Sequence, residues 1–252
     1  MAQLIIFTDL DGTLLEKKSY SYEAALPALK IIKRKNVPLV FSTSKTFDEA
    51  ECYAEEIGLK EPVIVENGGG IFIPEGYFPF EIRHKKTRNG YIVIEIGTSY
   101  EKLRKAIDEI RKRGIKVKGF GDMSNRELSF DSGLSIEEAK RARKREFDEP
   151  FIIEKGKEDY AKRIIESLGL RFERGGRYCH VTGKNDKGKA VRFLKKLYKK
   201  KFGKIETIGL GDSENDKSML KEVDRAFLIK GGPSEWNSIV LKELKRAGLY
   251  EE

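Results

Sequence analysis

Two apolar runs in this chain stop on acidic turns, and their shape narrows the fold more than any other feature. Residues 4–8 (LIIFT) end at Asp9-Leu10-Asp11-Gly12-Thr13, and residues 205–210 (IETIGL) end at Gly211-Asp212-Ser213-Glu214-Asn215-Asp216. A short run that is apolar on both sides suits a parallel strand covered on both faces. The segments around them alternate. Residues 22–35 have helical periodicity, 37–41 read as a strand, 46–57 as a helix, and 63–65 as a strand stopped by Asn67-Gly68-Gly69-Gly70. The rhythm returns late in the chain, with a helix at 187–200, the strand at 205–210, a helix at 215–223, a strand at 226–229 and a helix at 235–247. Strands alternating with helices predict an α/β fold built on a doubly wound parallel sheet.

The middle of the chain follows another pattern. Residues 91–96 alternate as a half-covered strand, 100–112 form a helix closed by Gly114, and Ser135 with Glu138 makes a capping box for a helix running to about residue 145. A further helix ends over 164–168, and 170–173 with 178–182 flank Gly175-Gly176 as a hairpin. This reads as an inserted α+β cap domain over 84–183, which leaves a discontinuous core domain of 1–83 and 184–252. A chain of 252 residues can bury such a core without staples. Two cysteines suit a reducing, cytoplasmic setting, and neither a leader peptide nor an apolar membrane span is expected. A single Gln and seven Asn beside abundant Lys and Glu hint at a thermophilic source.

In open α/β sheets the ligand crevice lies beyond the carboxyl ends of the strands. Asp9, Asp11, Asp212 and Asp216 would all reach that edge, and crowded hard-oxygen ligands of this kind are what Mg²⁺ takes. Gly183 to Lys189 also satisfies G-x-x-x-x-G-K. A nucleotide loop needs Ser or Thr next, however, and this chain has Ala190.

Four strings in order, DLDGTLL, Phe41-Ser42-Thr43-Ser44-Lys45, Asp186-Lys187-Gly188-Lys189 and GDSEND, resemble the motifs of the haloacid dehalogenase superfamily of phosphatases. The resemblance covers the whole chain, including an insertion placed like the large α/β cap of the sugar-phosphatase branch. It implies that Asp9 attacks phosphorus and forms an aspartyl-phosphate, while Asp11 acts as acid and then base. Crowding by other carboxylates should favour protonated Asp11. Thr43 would hydrogen-bond a phosphoryl oxygen, and Lys187 would neutralise it. Asp9, Asp212 and the main-chain carbonyl of Asp11 would hold Mg²⁺, with Asn215 and Asp216 supporting from behind.

A narrower resemblance rests on Ser44-Lys45-Thr46, the string from Val65 through Glu66-Asn67-Gly68-Gly69-Gly70, Tyr77-Phe78-Pro79-Phe80, Arg145-Glu146-Phe147-Asp148-Glu149 and Gly175-Gly176-Arg177-Tyr178. These look like the mannosyl-3-phosphoglycerate phosphatases, and Thr-Ser-Lys where broader sugar phosphatases carry Thr-Gly-Arg agrees. The substrate implied is a small anionic phosphorylated sugar-glycerate. Ser44 and Lys45 would lie beside the phosphoryl group, and Arg145 and Arg177 would clamp the carboxylate. Glu66 and Asn67 would bind the sugar, with Gly68 allowing backbone approach. His180 either faces the cleft or serves its strand, and His84 belongs to the surface or a hinge. One hydroxyl separates mannose from glucose, so both sugars stay open. A sugar-phosphate mutase is the nearer rival.

The net charge of +9 comes from 50 basic and 41 acidic residues that are largely interleaved. Basic runs such as Arg141, Arg143, Lys144 and Arg145 therefore read as solvated faces, and no nucleic-acid partner is expected. The expected state is a monomer or homodimer.

Overall fold

A computed structural model describes residues 2–84, 86–175 and 177–250. Among these residues the strands form two sheets. The first strand, β1 (Gln3–Thr8), divides its side chains between two cores. Leu4 and Ile6 enter one apolar cluster, while Ile5 and Phe7 enter another on the opposite face. This period-2 split requires helices on both sides. On the first face lie α1 (Leu26–Arg34), α2 (Phe47–Ile57) and α9 (Gly232–Arg246). On the second lie α7 (Lys187–Phe202) and the short α8 (Lys217–Leu220).

The large sheet has eight strands in the order β12-β11-β1-β2-β3-β4-β6-β5. Its parallel part consists of β12 (Arg225–Leu228), β11 (Ile205–Gly211), β1, β2 (Leu39–Ser42) and β3 (Val63–Val65). Three antiparallel strands extend it: β4 (Gly70–Pro74), β6 (Tyr91–Glu95) and β5 (Lys86–Arg88). The expected boundary at residue 84 therefore misses the sheet, because 86–95 hydrogen-bond to the core. The chain leaves the core after Gly97 and Thr98, and it returns beside them. A Cβ on Gly183 would fall 2.0 Å from Thr98 Oγ1, so glycine lets the two connections touch.

The insertion carries a four-stranded antiparallel sheet, β7 (Lys116–Gly119), β8 (Asp148–Lys155), β10 (Cys179–Thr182) and β9 (Arg171–Arg174). The amphipathic helices α3 (Tyr100–Lys112) and α6 (Glu158–Ser167) cover one face. On the other face, α4 (Asn125–Ser132) and α5 (Ile136–Ala142) shelter a small cluster that Ile152 and Tyr178 join. The expected hairpin is β9–β10, with Gly175 N bonded to Tyr178 O, while Gly176 lies outside the described residues.

Three expected helices are shorter. Pro27 sits in the first turn of α1, so 22–35 divides into a 3-10 turn at Glu23–Ala25 followed by the helix. The Ser135–Glu138 box forms, but α5 ends at Ala142, and Arg145 lies beyond it. The segment 215–223 becomes a 3-10 turn at Glu214–Asp216 and then α8. The Tyr77-Phe78-Pro79-Phe80 string packs on α7: Tyr77 and Tyr198 share a 3.1 Å hydroxyl contact, and the Phe78 ring lies 5.2 Å from that of Tyr198. No helix among the described residues is long and apolar enough to cross a membrane.

Candidate active site

At the end of β1 the backbone turns immediately. Leu10 O accepts the amides of Thr13 and Leu15, and Gly12 N donates to Leu15 O. Gly12 has φ +78°, and a Cβ there would fall 2.6 Å from Asp212 Oδ2. Glycine thus serves both the left-handed turn and the approach of the second acidic loop. That loop follows β11, which pairs directly with β1. Adjacent strands are what bring Asp9 and Asp212 together across 203 positions of sequence.

Lys187 opens α7, next to Asp186, which caps the helix by accepting Lys189 N. Its buried ammonium donates to Asp9 Oδ1 at 2.8 Å and to Asp216 Oδ1 at 2.6 Å. The other Asp216 oxygen accepts Asp212 N, Ser213 N and Ser213 Oγ at 3.0, 3.0 and 3.1 Å. Buried charges persist only when partnered in this way. Burial pushes the Asp9 carboxyl up to about 7; Lys187 opposes the rise, and Asp216 and Asp11 add to it. Burial acts to lower Lys187, but Asp9 and Asp216 outweigh it and hold the ammonium above its ordinary range.

Carboxylate oxygens of Asp9, Asp212 and Asp216 lie within 4.8 Å of one another. A cluster of hard oxygen donors at one strand edge fits a small divalent cation such as Mg²⁺. Asp216 already serves Lys187 and the 212–213 turn, so Asp9 and Asp212 keep the greater capacity to ligate. Asp212 Oδ2 meets Lys17 Nζ at 2.8 Å, and that lysine is 70% exposed.

Asp11, which adds to the rise at Asp9, also faces a cation. Its Oδ1 lies 3.0 Å from Lys45 Nζ, and that ammonium also sits 4.7 and 5.8 Å from the ring centroids of Tyr20 and Tyr53. Thr43 is buried beside Asp9's strand, with its N bonded to Ile64 O and its Oγ1 accepting Lys45 N at 3.1 Å.

A cleft of about 750 Å³ opens over Lys187. Its core wall includes Ser44, Asn67, Asn185, Ser213 and Asn215, with Asn215 Nδ2 donating to Asn67 Oδ1 at 3.0 Å. The insertion supplies Arg171, Glu173, Arg174 and His180. Several expected substrate residues are engaged elsewhere. Glu66 is buried, and its two carboxylate oxygens accept Glu146 N and Phe147 N, both at 2.9 Å. Gly68 meets the Asp186–Lys187 peptide, which a Cβ would strike at 2.3 Å. Arg145 is buried at the joint, donating to Ser44 O at 2.9 Å and lying 3.6 Å from Asp148 and 3.9 Å from Glu49. Arg177 pairs with Asp131 at 2.7 Å and is 59% exposed, away from the cleft. Glu66, Gly68 and Arg145 thus serve contacts between segments of the chain, and Arg177 lies at the surface paired with Asp131.

His180 has a place in the cleft and a partner in the insertion. It lines the cleft, and its Nδ1 lies 2.9 Å from Asp148 Oδ2. Burial acts to lower it, but the Asp148 carboxylate overrides this and raises it above the usual imidazole range. His84 has its Nδ1 2.7 Å from Ile82 O, outside the cleft. Arg171, Glu173 and Asn185 are cleft residues that no motif in the sequence singles out. The alternation in Arg171-Phe172-Glu173 was the available signal, since Phe172 fixes which face the two charges share.

Comparison with known proteins agrees with this geometry. A profile described as haloacid dehalogenase-like hydrolase matches residues 6–81 and 130–244. A Methanococcoides burtonii protein named glucosyl-3-phosphoglycerate/mannosyl-3-phosphoglycerate phosphatase is 48% identical, covering 96% of this chain and 91% of its own length. A Pyrococcus furiosus mannosyl-3-phosphoglycerate phosphatase is 39% identical, over 89% of this chain and 90% of its own. Among solved structures, a Thermoplasma acidophilum protein superposes with a TM-score of 0.65 at 20% identity, covering 99% of this chain and 100% of that one. A Bacteroides thetaiotaomicron phosphatase of the same superfamily gives 0.64 at 15%, covering 99% and 96%. These two share the fold. With the profile and the full-length relatives, they establish that this chain belongs to the haloacid dehalogenase-like hydrolases.

Proposed function

We propose that the protein is a Mg²⁺-dependent phosphomonoesterase that converts mannosyl-3-phosphoglycerate to mannosylglycerate and phosphate. The observation that carries this reading is Asp9, buried at the carboxyl end of β1 against Lys187 and beside Asp212. A carboxylate held there can attack phosphorus in line, forming an Asp9 acyl phosphate as the ester oxygen departs. Asp11 gives that oxygen its proton and then takes one from the water that cleaves the acyl phosphate. Lys187 and Thr43 offset charge on the phosphoryl oxygens, with Ser44 at the cleft wall. Asp9, Asp212 and the Asp11 carbonyl are the residues to hold Mg²⁺, with Asp216 and Asn215 orienting them. When bound, the cation supplies electrostatic stabilisation of the transferring phosphoryl group. The insertion, from about residue 98 to 183, acts as the cap over this chemistry.

The substrate assignment draws on the names of the relatives. Because one of them is named for both glucosyl and mannosyl esters, the glucosyl ester belongs in the same test. Phosphate release should be measured on mannosyl- and glucosyl-3-phosphoglycerate and on simple hexose phosphates. The expected result is fast release from the phosphoglycerate glycosides, lost with EDTA and restored by Mg²⁺. Isomerised sugar phosphate without phosphate release would instead make the protein a mutase, and indifference to EDTA would remove the metal.

A further inference from the structure

The insertion turns one half of a sheet face toward the cleft, and the alternation of β9 and β10 decides what stands on it. Phe172 and Val181 pack under α3 and α6. Arg171 and Glu173 therefore face the other way, opposite Thr182 and His180 in the ladder. The helices α4 and α5 shelter only the neighbourhood of Ile152 and Tyr178, so the Arg171–His180 half lies open to Lys187, Ser44 and Asn67.

The charged groups on this wall differ in how far they are committed. His180 is tethered to Asp148 at 2.9 Å. Glu173 accepts Thr182 Oγ1 at 3.2 Å. Arg174 donates to Cys179 Sγ at 3.2 Å and lies 3.7 Å from Glu158. Arg171 donates Nη1 to a neutral acceptor, Asn185 O, at 3.3 Å. Among the described residues no ion pair is formed by Arg171. A guanidinium on a long neutral contact can exchange it for a carboxylate at little cost, gaining a charge-assisted fork. Asn185 is only two positions from Lys187, so the contact holds this guanidinium on the phosphate side of the cleft.

We propose that Arg171, held against Asn185 O, is the specificity-determining cation that receives the carboxylate of the substrate, with Glu173 and His180 lining the same subsite. The proposal rests on the reading of the substrate as a phosphate ester that also carries a carboxylate. It replaces Arg145 and Arg177, whose guanidinium groups are already paired.

The test compares kcat/KM on mannosyl-3-phosphoglycerate with that on the matching mannosyl glycerol 3-phosphate, which carries a neutral hydroxymethyl group in place of the carboxylate. In the wild type the first should be strongly preferred. Arg171→Gln keeps a donor for Asn185 O but loses the charge, and Arg171→Ala removes both. Each should lower the preference by about 10–100-fold, mainly through KM, and Arg171→Lys should restore part of it. Arg177→Ala should keep the wild-type preference. A wild type with no preference overturns the substrate reading and the subsite with it. A wild type that prefers the carboxylate, with Arg171→Gln retaining that preference, overturns the subsite alone. Equal losses on both esters would assign Arg171 to the fold and equally reject the proposal.

Discussion

The two walls of the cleft hold their charges in opposite ways. At and behind the core wall Asp9, Lys187 and Asp216 are buried, and each is partnered by another charge or by backbone amides. On the insertion wall Arg171 is exposed and holds one long contact to a neutral oxygen. Stabilising a transition state needs dipoles and charges fixed in advance in a dry site. Recognising a ligand needs a group with something left to gain when the ligand arrives. Between the walls lies a joint of committed polar contacts. Asp48 of α2 takes Arg88 and Lys144, Glu66 takes two amides of the 146–147 segment, and Asn185 Nδ2 bonds Glu66 O and Phe147 O at 2.9 Å each. That joint sets the spacing of the walls.

The contrast is tested most severely at Asp9. Asp9→Asn keeps the shape and the buried position but removes the proposed nucleophile, so phosphate release should fall by a factor on the order of 10³ or more. Circular dichroism and a thermal melt should show a folded protein. Retained turnover in that folded variant would break the assignment of chemistry to the core wall.

Lys187→Met probes the same wall through stability. It leaves the Asp9 and Asp216 carboxylates facing each other without their shared cation, and breaking a buried pair in this way costs about 3–5 kcal/mol. Denaturant unfolding of wild type and variant measures the loss. A change below about 1 kcal/mol would mean that the site is far better hydrated than its burial implies.

His180 sharpens the comparison on the other wall. Its folded-state value is raised above 6.5: burial pulls it down, but Asp148 raises it further, with Arg145 opposing and Glu173 adding. A raised imidazole stabilises the fold fully below its unfolded value, and the contribution fades as pH climbs through the folded one. His180→Gln should therefore cost about 1 kcal/mol in mildly acid solution and less at alkaline pH. A difference that grows with pH would reverse the assigned charge state. The smallest effect belongs to Arg177→Ala, where an exposed ion pair with Asp131 should be worth less than about 1 kcal/mol in a thermal melt.

Much of the site was legible in the sequence because it sits at strand ends. The run at 4–8 predicts β1, and the turn chemistry of Asp9 through Thr13 and of 211–216 places acidic groups at one sheet edge. Asp186-Lys187-Gly188-Lys189 also carries its own local logic. Asp186 caps the helix, Lys187 starts it, and Gly188 admits the Ser218 carbonyl, which a Cβ would meet at 2.4 Å. Strand β4 was missed because Gly68-Gly69-Gly70 reads as a stop. In the fold Gly68 is needed for contact with the Asp186–Lys187 peptide, and β4 begins at Gly70.

Periodicity, capping and turn signals are local, so the sequence alone determined the alternating core, the acidic strand ends, the lysine at a helix start and the presence of an insertion. Which arginine meets the cleft was beyond its reach. Arg145, Arg171 and Arg177 are chemically alike, and only the tertiary structure brings Glu49 to the first, alongside its sequence neighbour Asp148, and Asp131 to the third, while the second forms no ion pair among the described residues. A charge's availability depends on which groups from distant parts of the chain reach it first, and that is settled by packing.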